Sequence, residues 1–383
     1  MKKGRSLPSI SRGAVMPTFD AIVIGCGGMG SAALFEFARR GRRVLGLEQF
    51  PAVHDRGSSH GHTRVIRTAY YEHPDYVPIL RRAWERWYEL EQLAGKPLLV
   101  ETGCLSIGPA GGELVTGVRE SARLHGLALE DRNPVPFRVP DGFDCVFEAK
   151  AGYLMVEDCV RAHLERAVAA GAELRTEEPV REWWAEGDGL VVRTDAETYH
   201  CAKLVVTAGA WATRLLADLG VPLTVMRQTM LWFEPKEPDR FRRDRFPVFL
   251  YESPRGAFYG MPMIDARGVK VARHYGAPEL PNPDGVDWTT SDADESPVRE
   301  FLKESIDAPI GPSTARQVCQ YTLTPDRHFV IDRHPANANV VVAAGFSGHG
   351  FKFAPVVGEI LADLAETGAT RWPIGFLRAG RFA

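Results

Sequence analysis

Residues 20–48 read DAIVIGCGGMGSAALFEFARRGRRVLGLE, and the order of elements in this stretch sets the architecture. Asp20 to Gly25 is a short apolar run of β type that ends in glycine. Gly25-Cys26-Gly27-Gly28-Met29-Gly30 then opens a helical pattern that stops at Gly41. A second strand, Arg42 to Leu47, ends on an acid, Glu48. Strand, G-x-G-x-x-G, helix, strand and acid in that order specify a Rossmann-type dinucleotide site. Gly25 permits the tight turn, Gly27 lets the backbone approach a pyrophosphate, and Gly30 lets helix and strand pack closely. Unpaired N–H groups and the dipole at the helix N-terminus favour the anion. Glu48 can accept hydrogen bonds from both hydroxyls of a ribose and would repel a 2′-phosphate, which disfavours NADP. FAD and NAD remain alternatives on these residues alone.

Far along the chain a second strand–glycine loop–helix unit occurs. Residues 339–344, NVVVAA, read as a buried strand; Gly345-Phe346-Ser347-Gly348-His349-Gly350-Phe351-Lys352 follows, and then a helical run, APVVGEILADLAETG. A simple NAD dehydrogenase has no need of this unit. A flavin enzyme does, because N–H groups placed there stabilise the negative charge that the isoalloxazine ring gains on reduction. Between the two units the pattern is mixed. Residues 51–63 are a polar loop, long enough inside a nucleotide domain to suggest function. Arg64 and Arg67 follow at i, i+3 spacing and, if helical, would project from one face; an aromatic helix with Trp84 and Trp87 comes next. Residues 155–170 read as a helix, 190–207 as two strands, and 203–220 as a strand, turn and helix returning to the nucleotide sheet. Residues 226–319 read as a separate antiparallel layer.

The expected fold class is therefore α/β (α+β), a Rossmann-type FAD-binding domain with an interleaved antiparallel β-sheet substrate domain. The FAD domain is expected over 17–95, 150–225 and 320–383, and the substrate domain over 96–149 and 226–319. Residues 1–16 carry four positive charges and no acid; they lack the apolar core of a secretory signal and are expected to be a disordered extension.

Composition narrows the function class. The chain is 45% apolar and 25% charged with a net charge of −3, the balance of an ordinary globular protein and not of a nucleic-acid binder. No run approaches the ~18 apolar residues of a membrane span. The six cysteines, Cys26, Cys104, Cys145, Cys159, Cys201 and Cys319, form no C-x-x-C pair. They point to neither a zinc site nor a disulfide framework, and to a reducing, cytoplasmic compartment. No metal site is expected.

The GCGGMG turn with Glu48, the SSHGHTRVIR loop, TAGAW, the VKVARHYG segment, VCQYT and GFSGHGFKFAP together resemble the monomeric sarcosine oxidase family. These are flavoprotein amine oxidases, and the resemblance runs from about residue 18 to 375. It implies FAD bound covalently through its 8α carbon to Cys319. It also implies oxidation of the C–N bond of sarcosine or a related N-methyl or cyclic amino acid, O2 as acceptor, and a monomer. The same resemblance assigns His60, Thr63 and Arg64 to the flavin ring and Arg67 with Lys352 to the substrate carboxylate. Lys270 falls to oxygen activation, His274, Tyr259 and Tyr321 to the pocket around the amine, and Gly348, Gly350 and Phe351 to the cofactor. Leu250 stands where the sarcosine-oxidising members carry Met, and Tyr251 and Glu252 beside it are expected to reshape the cavity.

Elementary chemistry agrees with these roles. A zwitterionic amino acid needs its carboxylate anchored, and arginine supplies a planar fork where lysine supplies a point charge. An ammonium at Lys270 stabilises the charge that develops on oxygen. Two other readings are open on the sequence. One is a flavin dehydrogenase passing electrons to another acceptor; the other is a nucleotide-binding protein without turnover.

Overall fold

A computed structural model describes residues 18–132 and 136–382, so the expected extension over 1–16 lies outside the described residues. Strand β1 (Phe19–Ile24) pairs in parallel with β2 (Val44–Leu47) on one side and with Thr198–Val206 on the other. Thr198–Val206 in turn pairs in parallel with Asn337–Ala344, and β2 with Glu173–Arg175. Both faces of this parallel sheet are covered, which is why its strands read as unbroken apolar runs. Helix α1 (Gly28–Arg39) and the helices Val156–Ala169 and Ala354–Thr367 pack on one face. Val180–Glu186 and Gly189–Thr194 extend the sheet as an antiparallel ribbon.

The turn between β1 and α1 works as its glycines suggest, though each for its own reason. Gly25 adopts φ +84. A Cβ at Gly30 would lie 1.8 Å from the Gly25 carbonyl oxygen and 2.6 Å from Thr207 Oγ1. On the other side of α1, a Cβ at Gly358 would lie 2.7 Å from the Ala32 carbonyl, so that helix sits directly against α1.

A second, nine-stranded sheet is built from 104–109, 130–131, 143–148 and most of the chain between 224 and 323. Its long pair, Thr224–Pro235 with Ile310–Leu323, is antiparallel, and Val248–Ser253 joins Cys104–Pro109 in parallel. The expected antiparallel layer is therefore present, with a helix inside it, Asp292–Ser305, that the strand-rich sequence pattern does not announce. Phe301 of that helix stacks on Phe258 at 4.2 Å between ring centroids and closes the layer's core.

Between the two large sheets lies a small one. Strand β3 (Thr63–Ile66) pairs antiparallel with Gly152–Met155, which also pairs with Leu99–Glu101. Arg64 therefore lies within a strand and Arg67 just past its end, not on a helix, and their side chains go to different partners. Four residues of Thr-Arg-Val-Ile are too few to show a helical period, and β-branched Thr63, Val65 and Ile66 favour the strand. Helix α2 (Tyr76–Ala94) follows; its Trp84 indole N–H donates to Thr68 Oγ1 at 2.9 Å and its Trp87 indole N–H to the Lys352 carbonyl at 2.8 Å. One helix thus fastens the exit of β3 and the distant glycine loop to each other. Among the described residues no helix is long and apolar enough to cross a membrane.

Because the Gly30 contact is backbone on backbone, Gly30→Ala is expected to destabilise the fold by about 1–3 kcal/mol, the usual cost of over-packing. Thermal melting checks this; an unchanged Tm would mean that the turn yields without cost.

Candidate active site

Both glycine turns line one cavity of about 400 Å³, together with Glu48, Arg64, Arg67, Leu250, Tyr259, His274, Tyr321 and Lys352. Gly27 is informative here. Its φ is ordinary at −72, and a Cβ added to it would meet only Ser59 Oγ, at 3.8 Å. Gly25 and Gly30 are required by the protein's own packing, whereas Gly27 leaves room for a group approaching from the cavity, beside the N-terminus of α1. Glu48, at the end of β2, is held by the Cys26 N–H at 2.9 Å and the Phe50 N–H at 3.1 Å. Its carboxylate lines the same cavity. A dinucleotide fits this donor and acceptor set: helix N–H groups for pyrophosphate and an acid for ribose. The polar loop 51–63 closes over it, with Ser59 Oγ accepting the Gly28 N–H at 3.0 Å.

The second glycine loop leaves the same parallel sheet, after Asn337–Ala344, and meets the cavity from there. Gly348 has φ +82, and a Cβ there would lie 2.3 Å from the Tyr321 ring. At Gly350 a Cβ would lie 2.3 Å from Phe346. Phe351 stacks on Trp87, and Lys352 is brought to the wall beside it.

Arg64 and Arg67 leave β3 in different directions, to different partners. Arg64 donates to the Ser58 carbonyl at 2.7 Å and to its neighbour Thr63 at 2.8 Å, and its Nη2 stands 3.4 Å from Cys319 Sγ. Cys319 is a buried free thiol on Ile310–Leu323. Arg67 is buried over the rings of Tyr70 and Tyr71 and donates to both carboxylate oxygens of Glu72, at 2.8 and 2.7 Å. Burial alone would raise the Glu72 carboxyl, but Arg67, with His349 and Lys352, holds it below its usual value.

Lys352 Nζ donates to the His349 carbonyl at 2.6 Å and to the Tyr70 hydroxyl at 3.3 Å. Tyr70 in turn lies 2.6 Å from His349 Nδ1, and His349 Nε2 lies 3.0 Å from the Arg327 carbonyl. A carbonyl accepts only, so Nε2 carries the proton and Nδ1 accepts from Tyr70. Burial first, and Arg67 second, bring the Lys352 pKa down to about 7, against the pull of Glu72. Burial likewise lowers His349 to about 4 and His274 to about 3, leaving both rings neutral.

His274 faces Tyr321, whose hydroxyl lies 3.3 Å from His274 Nδ1, and Tyr259, edge to face. Burial raises both tyrosines, so both keep their protons. Lys270, His60, Thr63 and Cys319 are buried immediately behind the wall and do not line it. Lys270 Nζ donates to the Gly61 and Thr63 carbonyls at 2.7 and 3.0 Å. His60 Nε2 lies 3.1 Å from the Gly57 carbonyl, and its buried Nδ1 has no partner among the described residues.

Leu250 lines the cavity as expected, but Tyr251 and Glu252 do not reshape it. Alternation along Val248–Ser253 turns Tyr251 into the aromatic core against Phe301, and Glu252 accepts the Leu114 N–H at the start of helix Glu113–His125. Sequence reasoning missed Tyr70, Glu72, Glu148 and His349. Glu148 accepts the N–H groups of Thr68 and Ala69 and so fixes the backbone just past Arg67. His349 alone carried a local sign, as a polar ring inside a buried glycine loop.

The family described as FAD dependent oxidoreductase matches residues 20–364. The monomeric sarcosine oxidase of Streptomyces avermitilis is 43% identical over 96% of this chain and 98% of its own length. The N-methyl-L-tryptophan oxidase of Salmonella agona is 34% identical over 95% and 99%. Among solved structures, the open form of NikD, an unusual amino acid oxidase, superposes with a TM-score of 0.82 over 94% of this chain and 97% of its own, at 24% identity. L-proline dehydrogenase from P. horikoshii gives 0.80 over 96% and 98%, at 22% identity. At such identities the likeness speaks for the fold.

Lys352 carries its charge below about pH 7 and loses it above, while Arg67 stays charged. Binding of a small carboxylate such as acetate is therefore expected to weaken as pH rises past about 7, by up to about tenfold per pH unit. Titration calorimetry across that range measures it. An affinity flat from acid to alkaline pH would remove Lys352 from the anion site.

Proposed function

This chain belongs to the FAD-dependent oxidoreductase family, and from that premise we propose that it oxidises the C–N bond of sarcosine or a related N-methyl or cyclic amino acid. The amine loses two electrons and two protons and becomes an imine, which water splits into an aldehyde and an amine. Bound FAD would supply the two-electron oxidant and return the pair to O2, giving H2O2.

The residues divide the remaining work. Gly25, Gly27, Gly30 and Glu48 hold the dinucleotide end, and Gly348, Gly350 and Phe351 the other. Arg67 and Lys352, two cations on one cavity wall, anchor the substrate carboxylate; this juxtaposition carries the assignment. Neutral His274, beside Tyr259 and Tyr321, is placed to take the proton that the amine must lose. Leu250 bounds the substrate and sets its size. Lys270, backed by Gly61 and Thr63, supplies positive charge for the oxygen reaction, where a low dielectric makes it count.

Cys319 is the attachment point for the flavin. Arg64 donates to its sulfur at 3.4 Å and so fixes where the side chain lies. Each large sheet draws on separate stretches of chain, which supports two discontinuous domains, although Ile310–Leu323 runs across the boundary expected at 319/320. The reading includes a monomer in a reducing compartment, where six unpaired cysteines persist.

Two experiments bear on this. Release of H2O2 is to be measured with sarcosine, larger N-methyl amino acids, proline, pipecolate and glycated amino acids. At least one secondary amino acid should give peroxide. Substrate-dependent reduction of an artificial acceptor without peroxide would mark a dehydrogenase instead, and no turnover at all a binding protein. Acid precipitation of the wild type should leave the yellow colour in the pellet, and Cys319→Ala should free it into the supernatant. Colour released equally from both proteins would exclude the thioether.

A further inference from the structure

Lys270 owes its position to a backbone turn that is unusual in itself. Gly61 and His62 adopt φ +86 and +74, two successive left-handed residues, and His62 is not a glycine. The Thr63 N–H donates back to the Gly61 carbonyl at 2.9 Å, which closes a γ-turn of the strained, positive-φ kind. Such a conformation is strained and persists only where neighbours enforce it.

The neighbour here is Glu157, in the first turn of Val156–Ala169. Its carboxylate accepts the Gly61 N–H at 2.7 Å and the His62 N–H at 3.1 Å to each oxygen. The successive Gly61 and His62 N–H groups of this turn converge on one point as an anion receptor, and the Glu157 carboxylate fills it. An acid at a helix N-terminus is by itself unremarkable, since it complements the dipole. This one also grips the loop whose carbonyls hold Lys270.

We propose that Glu157 is a positioning residue for Lys270. It locks the Gly61–His62 turn so that the Gly61 and Thr63 carbonyls face the ammonium, and it supplies negative charge on that side. The proposal rests on Lys270 being the cation that serves the oxygen reaction. The groups around Lys270 are Arg64 and Arg267, which oppose its charge, Cys319 and Glu157, which support it, and the His60 and His62 rings. A thioether at Cys319 carries no charge. In the flavin-linked protein Glu157 is then the supporting anion of that pair.

The test uses the flavin-loaded protein and compares Glu157→Gln, Glu157→Asp and Lys270→Met. Removing the supporting charge should let Lys270 lose its proton at lower pH. The alkaline fall in the rate of flavin reoxidation by O2 should therefore move to lower pH in Glu157→Gln. A displacement of one pH unit means a rate about tenfold lower on the alkaline side. Anaerobic reduction by substrate should change little. The flavin reduction potential gives a readout independent of turnover: Glu157→Gln should lower it, in the same direction as Lys270→Met. In the Lys270→Met background Glu157→Gln should add nothing to either quantity.

A raised potential, the direct effect of deleting a negative charge, would overturn the proposal, as would equal slowing of both half-reactions or additivity with Lys270→Met. Should Glu157→Gln take up no flavin, Glu157→Asp carries the test. It is expected to shift the potential less and with the same sign, and an unshifted potential would count against Glu157. If Lys270→Met itself leaves reoxidation unchanged, the oxygen role falls, and the sign of the potential shift alone decides on Glu157.

Discussion

Four cations, Arg64, Arg67, Lys270 and Lys352, are held out of water around one cavity, and the rest of the site is arranged to make that tolerable. Burying an ion costs on the order of several kcal/mol unless its hydrogen-bonding groups are met. Here they are met mostly by backbone carbonyls, those of Ser58, Gly61, Thr63, Ala69 and His349. The loop 57–63 and the turn after β3 must therefore hold their carbonyls inward. Two carboxylates secure this by gripping N–H groups on either side of β3, Glu157 at Gly61 and His62 and Glu148 at Thr68 and Ala69.

The charges are not cancelled uniformly. Glu72 answers Arg67 directly, while Lys352 meets only a carbonyl and a hydroxyl. Among the described residues Lys352 therefore has no carboxylate bonded to it, and burial first and Arg67 second bring its pKa down to about 7; burial likewise pushes Lys270 well below its ordinary value. On the proposed reading an anion arriving between Arg67 and Lys352 would offset both charges, and the pocket would select for a carboxylate before it discriminates side chains. The neutral imidazoles of His274 and His349 add no competing charge.

Much of the frame was legible in the sequence because its determinants are local. A glycine turn between an apolar run and a helix has one structural meaning, and Gly25 and Gly30 bear it out through positive φ and backbone contact. Trp87 belonged to the aromatic helix that the pattern indicated, though its hold on the Lys352 carbonyl did not show. The site's acids were hidden because they act across the chain: Glu148 reaches a backbone 80 residues away and Glu157 one 96 residues away. No spacing rule spans such distances. Arg64 and Arg67 looked helical only because their interval fits a helix. In a strand the same interval separates them, and this separation gives one to Cys319 and the other to Glu72.

Whether the buried cations select a substrate by its carboxylate is decided by mixing the flavin-loaded protein anaerobically with sarcosine and with its methyl ester. The two share the oxidisable methylamine and differ in one negative charge. Sarcosine should bleach the flavin at concentrations where the ester leaves it oxidised. Equal bleaching at equal concentrations would contradict the account.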